Sequence, residues 1–366
     1  MPPRVLILTA SVGEGHDRPA RWLAAQLREE KQDVEVVIED CLPAMGRAVT
    51  LVSESAPRVV FYRLRWLWDL GFWFFTRPAL TRELSQRAIT RAGGPGLMRL
   101  IERHDPDVVV SVYPNVTEVL GRLRRSGRLR APSIAAITDL AAMHYWASRG
   151  IDVHLVTHPE SIAEVRTIVG SGGAVYCAHG FTDPAFRDTS SPEVARAALG
   201  LPSEGKIVLV SGGGWGVGDV PGAVEQSLTL DGVAQVVCLC GRNEELRQEL
   251  AERFADEQRV RVEGFTEQMP TWLAAADVLV HSTGGLTVLE ALMRGCAPIS
   301  YGWGRGHVRT NNAAFKRFGL ADVAGSRREL RAVLQRTLEA GRPAPNLLLL
   351  DVPSAASFVL AAAGVA

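Results

Sequence analysis

A turn of small residues, His281-Ser-Thr-Gly-Gly-Leu-Thr287, separates the apolar run 276–280 from a helix-forming stretch that carries Glu290. Thr283, Gly284, Gly285, Leu286 and Thr287 leave backbone N–H groups accessible at the positive end of a helix dipole, an arrangement that receives a phosphate or diphosphate. Glu290 follows about one and a half turns after Gly285. There a carboxylate can accept hydrogen bonds from the hydroxyls of a ribose beside that diphosphate. Together these features suit a nucleotide better than a bare anion.

A second passage from strand to loop lies near the N-terminus, where residues 5–8 run into Thr9-Ala-Ser-Val-Gly-Glu-Gly-His-Asp17 and a helix is expected from near Arg18. Gly13 and Gly15 supply two glycines of a dinucleotide fingerprint whose third is missing, which argues against NAD. His16 is the more informative residue. Its imidazole is suited to removing a hydroxyl proton at neutral pH, and the same position equally suits a histidine that only caps a helix. Three further loops follow strand-like runs in the second half. Ser211-Gly-Gly-Gly-Trp-Gly-Val-Gly218, with Gly213 and Gly214, allows close backbone approach. Arg242 in Cys240-Gly-Arg-Asn243 can pair with phosphate oxygens. In Gly264-Phe-Thr266 backbone groups can read a base edge while Phe265 packs near the ring. Taken singly, each is also an ordinary turn.

The elements that must position these residues alternate along the chain. Val/Ile/Leu-rich runs at 5–8, 34–38, 108–112, 134–137 and 153–156 alternate with helix-length segments, and the pattern resumes at 207–210, 236–240, 260–262, 278–280 and 297–300. Such alternation predicts an α/β chain of two doubly wound, Rossmann-like domains, each with a parallel sheet. Turn formers at 181–184 and 189–192 mark the expected linker. The predicted domains are residues 1–185, with an aromatic insertion at about 57–91, and residues 193–342. The segment 343–366 is a candidate to cross back to the first domain. Ligands of such domains bind beyond the carboxyl ends of the strands, so a cleft between the two is the expected site.

A length of 366 residues fits two domains. Forty basic and forty acidic residues balance, which excludes the basic excess expected of a nucleic-acid-binding protein. Five scattered cysteines suit a reducing compartment, and Cys238 and Cys240 read as small core residues. The start lacks the pattern of a secretory signal. The aromatic stretch 59–75 is broken by Arg63, Arg65, Asp69 and Gly71 and is too short to span a bilayer comfortably. The lone Asp-x-Asp, Asp105-Pro-Asp107, precedes its strand, and His144, His154 and His158 lack zinc-site spacing, so no metal is expected.

Five motifs in order, Thr9-Ala-Ser-Val-Gly-Glu-Gly-His16, Ile137-Thr-Asp139, Cys240-Gly-Arg-Asn243, Gly264-Phe-Thr266 and the segment 282–292, resemble the monogalactosyldiacylglycerol synthase family and its relative, the lipid-II N-acetylglucosaminyltransferases. The resemblance runs to about Ala324. It implies a GT-B glycosyltransferase, inverting and metal-independent, with a UDP-sugar as co-substrate bound mainly by the C-terminal domain. Residue by residue it makes His16 the base, Glu290 the ribose ligand, Arg242 a phosphate contact, and Gly284 and Gly285 the diphosphate-binding helix start. Glu14 stands where the family commonly has glycine, which puts a carboxylate either near His16 or toward solvent. Gly306-His-Val308 replaces the Gln/acid pair expected to hold the donor sugar, leaving His307 and Asn311 as candidates either for that task or for a polar cluster that stabilises the loop.

The resemblance also implies a lipid acceptor such as diacylglycerol and work at the cytoplasmic face of the membrane, with the protein peripherally attached. Trp66, Trp68, Trp73 and Phe74, interleaved with arginines, suit an anionic bilayer surface; the same composition suits a helical pair packed on the first domain or on a second subunit. Tyr113, His144 and Trp146, with Gly13 and Gly15, are the acceptor-side candidates. Asp139 can orient His16, bind an acceptor hydroxyl or cap the segment that follows it. Transfer to a soluble metabolite, and nucleotide-sugar binding without transfer, are the competing readings.

Overall fold

The computed structural model describes residues 2–11, 14–51, 65–188, 190–282, 284–302, 304 and 306–365, except the side chains of 65–69. The chain divides into two units, Met1–Thr182 with Leu350–Ala366, and Asp183–Leu349.

The first unit runs β1 (Arg4–Thr9), α1 (Glu14–Glu30), β2 (Glu35–Asp40), α2 (Cys41–Met45), α3 (Arg47–Thr50), α4 (Arg65–Thr76), α5 (Ala79–His104), β3 (Val108–Ser111), α6 (Pro114–Arg125), β4 (Ser133–Ile137), β5 (Val153–Val156), α7 (Ser161–Val169) and β6 (Ala174–Cys177). All strands are parallel, in the order β2-β1-β3-β4-β5-β6. Leu6, Ile7 and Leu8 are fully buried, as a strand covered on both faces requires. Helix α1 buries Ala20, Leu23, Ala24 and Leu27, one face at helical spacing. It starts at Glu14 rather than near Arg18, so His16 lies in its first turn. Strand order reverses between β1 and β3, and ligands of doubly wound sheets bind at such a switch point. Close packing fixes α5: a Cβ on Gly96 would stand 1.8 Å from the Ala44 carbonyl oxygen.

The second unit runs α8 (Pro192–Leu199), β7 (Lys206–Ser211), α9 (Val220–Leu228), β8 (Val233–Leu239), α10 (Glu244–Arg253), β9 (Val260–Glu263), α11 (Met269–Ala275), β10 (Val278–His281), α12 (Gly285–Met293), β11 (Ala297–Tyr301), α13 (His307–Arg317), β12 (Asp322–Ala324) and α14 (Arg327–Ala340). Its parallel order, β12-β11-β10-β7-β8-β9, reverses between β7 and β10. The glycine-rich loop and the turn before α12 leave the sheet at that point. The edge strands β6 and β12 add to those read from sequence.

Helix α15 (Ala355–Ala362) belongs to the first unit and packs on α1. Ala355 N–H donates to the His179 carbonyl at 2.8 Å, His179 N–H donates to the Pro353 carbonyl at 3.1 Å, and Phe358 stacks on Tyr176 with ring centroids 4.7 Å apart.

Candidate active site

In the first unit the loops after β1 and β3 meet at His16. Thr9, the last residue of β1, donates its hydroxyl to Asp17 at 2.8 Å and so ties the start of α1 to the strand end. His16 Nδ1 lies 2.8 Å from the Val112 carbonyl oxygen. A carbonyl only accepts, so Nδ1 carries the hydrogen and Nε2 holds the lone pair of the neutral ring. The Tyr113 ring meets the imidazole edge to face at 5.1 Å, which fixes the ring plane. Tyr113 is itself held by the turn into α6, where Ser111 Oγ donates to its carbonyl at 3.0 Å and Thr117 Oγ1 donates to Ser111 Oγ at 2.9 Å. The orienting contact at Nδ1 is thus a backbone atom, which sequence reasoning could not name. Glu14, for which a place near His16 and one toward solvent were both open, forms ion pairs with Arg18 at 3.4 Å and Arg21 at 3.3 Å.

Of the acceptor-side candidates, Tyr113 and Trp146 come together. They line one depression with Val112, Thr117 and Thr138. Asp139 is buried at the end of the segment leaving β4, and Gly15 is exposed, with nothing near its Cβ position. Gly13 lies outside the described residues. His144 goes elsewhere, to a cavity of about 590 Å³ lined by Arg82, Glu118, Arg125 and Arg149. Burial, then the charges of Arg82 and Arg149, pull its pKa down to about 4. The divergence arises at Tyr145, whose φ of 78° puts a non-glycine residue in the left-handed region. Its hydroxyl hydrogen-bonds Ser85 on α5 and donates to the Phe75 carbonyl at 3.4 Å.

Helix α4 and the start of α5 present an apolar surface: Leu70, Trp73, Phe74, Phe75, Leu80 and Leu84 are all exposed. The side chains of Trp66 and Trp68 lie outside the described residues, although their backbone is in α4. Among the described residues no helix is long and apolar enough to cross a membrane.

In the second unit the glycine-rich loop is clipped to the turn before α12. Ser282 Oγ donates to the Val217 carbonyl at 2.5 Å, and a Cβ on Gly218 would stand 2.5 Å from that same hydroxyl. Gly284 is the N-cap of α12 and lacks a side-chain cap bond; Gly285 opens the helix, Leu286 and Thr287 are half-buried in its first turn, and Glu290 is half-buried farther along. Thr283 lies outside the described residues. The loop after β8 packs on the glycine loop: Arg242 N–H donates to the Gly214 carbonyl at 2.8 Å, and Gly241, with φ of 59°, has no room for a Cβ between the Gly213 and Gly214 carbonyls. The Arg242 guanidinium lies over the Phe265 ring, 3.9 Å from its centroid.

The segment after β11 starts from a polar anchor missed in the sequence. Tyr301 donates its hydroxyl to Asp219 at 2.7 Å; Asp219 caps α9 through Gly222 N–H at 3.0 Å and accepts from Arg327 at 2.9 Å. Asp219 two residues before Pro221, read as an N-cap, was the available signal. His307 begins α13 and is half-buried, whereas Asn311 has no exposed surface, which favours the loop-stabilising role for that amide. Its neighbour Asn312 accepts from Ser300 Oγ at 2.7 Å. Asp105 and Asp107 both bind Arg4, through its guanidinium at 2.7 Å and its N–H at 2.7 Å, at the amino end of the sheet and away from His16. Among the described residues no group of three or more His, Cys, Asp or Glu side chains is arranged to hold a metal ion.

Residues 16–171 match the profile of the monogalactosyldiacylglycerol (MGDG) synthase family, and residues 222–326 that of the glycosyl transferases group 1. The processive diacylglycerol beta-glucosyltransferase of Bacillus subtilis is 24% identical over 334 residues, 89% of this chain and 85% of that protein. The probable monogalactosyldiacylglycerol synthase 2 of Oryza sativa subsp. indica, a chloroplastic protein, is 28% identical over 307 residues, 80% of this chain and 64% of that protein. Among solved structures, Medicago truncatula UGT71G1 complexed with UDP-glucose superposes with a TM-score of 0.57 at 13% identity, covering 91% of this chain and 89% of that one. That likeness is one of fold.

Proposed function

From a chain that is a GT-B glycosyltransferase of the monogalactosyldiacylglycerol synthase family, we propose an enzyme that moves a hexose from UDP to the free hydroxyl of a diacylglycerol-type lipid, with inversion and without a metal ion. The observation that carries the chemistry is the 2.8 Å contact between His16 Nδ1 and the Val112 carbonyl, which assigns the lone pair to Nε2. As the acceptor oxygen bonds to the anomeric carbon, its proton passes to Nε2 and the bond from that carbon to the diphosphate oxygen breaks. A single displacement inverts the centre. The leaving UDP gains stabilisation from the N–H groups at the start of α12, and Glu290 binds the ribose hydroxyls. Asp139 and Trp146 are the proposed acceptor contacts. The exposed apolar face of α4 and α5 supports work at a membrane surface, with the cytoplasmic leaflet as its proposed location.

His16→Ala tests the assignment. UDP affinity, measured by calorimetry, should stay within about twofold while turnover of UDP-hexose with diacylglycerol falls by about 10²-fold or more. Undiminished turnover would remove His16 from the mechanism. If wild type binds the donor and forms no glycoside from any lipid or soluble alcohol, binding without transfer is the better reading.

A further inference from the structure

We infer that Arg242 is a stacking platform for the nucleobase of the donor and not a ligand of its phosphates. This assignment rests on the reading of the second unit as the nucleotide site.

Three features lead there. First, the guanidinium is already committed in direction: it lies over the Phe265 ring, 3.9 Å from the centroid, which draws it from the end of β8 toward the end of β9. Second, the sheet order puts the start of α12 on the other side. The order β10-β7-β8-β9 leaves one strand between β10, which feeds α12, and β8, and two between β10 and β9. At ~4.8 Å per strand, the helix start stands roughly 10 Å from the end of β8 and roughly 14 Å from that of β9. The second separation suits the base of a nucleotide whose diphosphate sits on α12; it is too great for a direct contact with that diphosphate. Third, the stack is accessible. Arg242 is exposed and Phe265 is 37% exposed.

A guanidinium is planar and stacks on aromatic faces on either side, so one supported from beneath by phenylalanine offers its other face to a flat heterocycle. The position is rigid for a surface arginine. Arg242 N–H is held by the Gly214 carbonyl at 2.8 Å, Gly241 admits no side chain, and Thr266, next to Phe265, accepts from Gln268 N–H at 3.0 Å and from Trp272 Nε1 at 3.2 Å. A lysine would keep the charge but lose the plane. A stacking platform would not tolerate that change; a ligand paired with phosphate oxygens would lose pyrophosphate affinity with it, so pyrophosphate is the probe that separates the two.

Calorimetric titration of the full chain with UDP and with inorganic pyrophosphate separates the two roles. Arg242→Lys, Arg242→Ala and Phe265→Ala should each weaken UDP by roughly tenfold and leave pyrophosphate unchanged, since only UDP carries a base to stack. The paired Phe265 variant guards against a local effect of the arginine change. Weakened pyrophosphate binding in Arg242→Ala or Arg242→Lys would overturn the assignment and return the arginine to the phosphates. If wild type binds neither probe, the nucleotide site itself is wrong and the proposal falls with it. If wild type binds both and the variants match it, the donor site stands and only the platform is lost.

Discussion

Val112 holds His16 through its carbonyl oxygen, so its side chain serves the core while the atom beside it governs the tautomer of the ring. Of this pair the sequence displays only one member. A histidine after a glycine-bearing loop invites attention, whereas a backbone acceptor 96 residues away has no signature in residue type. The same limit applies to Arg242: a guanidinium in the loop after a strand is visible in the sequence, its direction over Phe265 is not. Gly218 is a residue whose necessity is geometric. Its φ is 105°, and its Cβ position falls 2.5 Å from Ser282 Oγ. Gly218→Ala should open the clip between the glycine loop and α12 and weaken UDP by about tenfold, because strain of this kind costs about 1–3 kcal/mol. Calorimetry of the variant reads this directly, and unchanged affinity would mean that the clip does not shape the site.

Among the elements, strands covered on both faces were legible, as were the edge strands β2 and β9, whereas the edge strands β6 and β12 were not. Strands β1, β3, β4, β7 and β10 are short runs of Val, Ile, Leu and Ala with nearly every residue buried. Strand β6 is Ala-Val-Tyr-Cys with Tyr176 exposed at 44%, and β12 has only three residues, so neither carries the run of Val, Ile and Leu by which a buried parallel strand is recognised. Helix α1 begins at Glu14, before the expected start near Arg18, and Pro19, a residue type common in a first turn, sits inside it among the buried residues. Strand β5 holds a pH-sensitive element. His154 is fully buried, and Ser148 N–H donates to its Nε2 at 3.3 Å, so protonation removes an acceptor as well as charging the core. Burial lowers its pKa to about 4. An unfolded histidine titrates near 6.5. Above that pH both states are neutral and stability is full; between pH 6.5 and 4 the unfolded chain takes up the proton first, and stability falls until the folded ring also titrates. His154→Gln keeps an acceptor for Ser148 and should remove up to about 3 kcal/mol of that acid loss. Denaturant midpoints of wild type and variant at pH 7.5 and 4.5 check this. Parallel declines would assign the acid sensitivity to other groups.

The whole molecule joins a unit bearing a candidate base and an apolar helical face to a unit bearing a candidate nucleotide site, and the acceptor question turns on that face. Trp73, Phe74 and Phe75 are each about half exposed, an unusual burden for a surface that meets only water. Replacing all three with alanine should strongly reduce co-sedimentation with vesicles containing anionic lipid and leave UDP affinity unaltered. If wild type and variant both remain in the supernatant, transfer to a soluble alcohol becomes the better reading. Chain connectivity has its own consequence. Helix α15 covers α1 of the first unit, yet the second unit lies between them in sequence. On the ribosome, the first unit must therefore wait with part of α1 uncovered while more than 160 further residues are made. Its closure must await synthesis of the whole second unit, and a nascent chain stalled anywhere in that unit leaves the half bearing His16 unsealed.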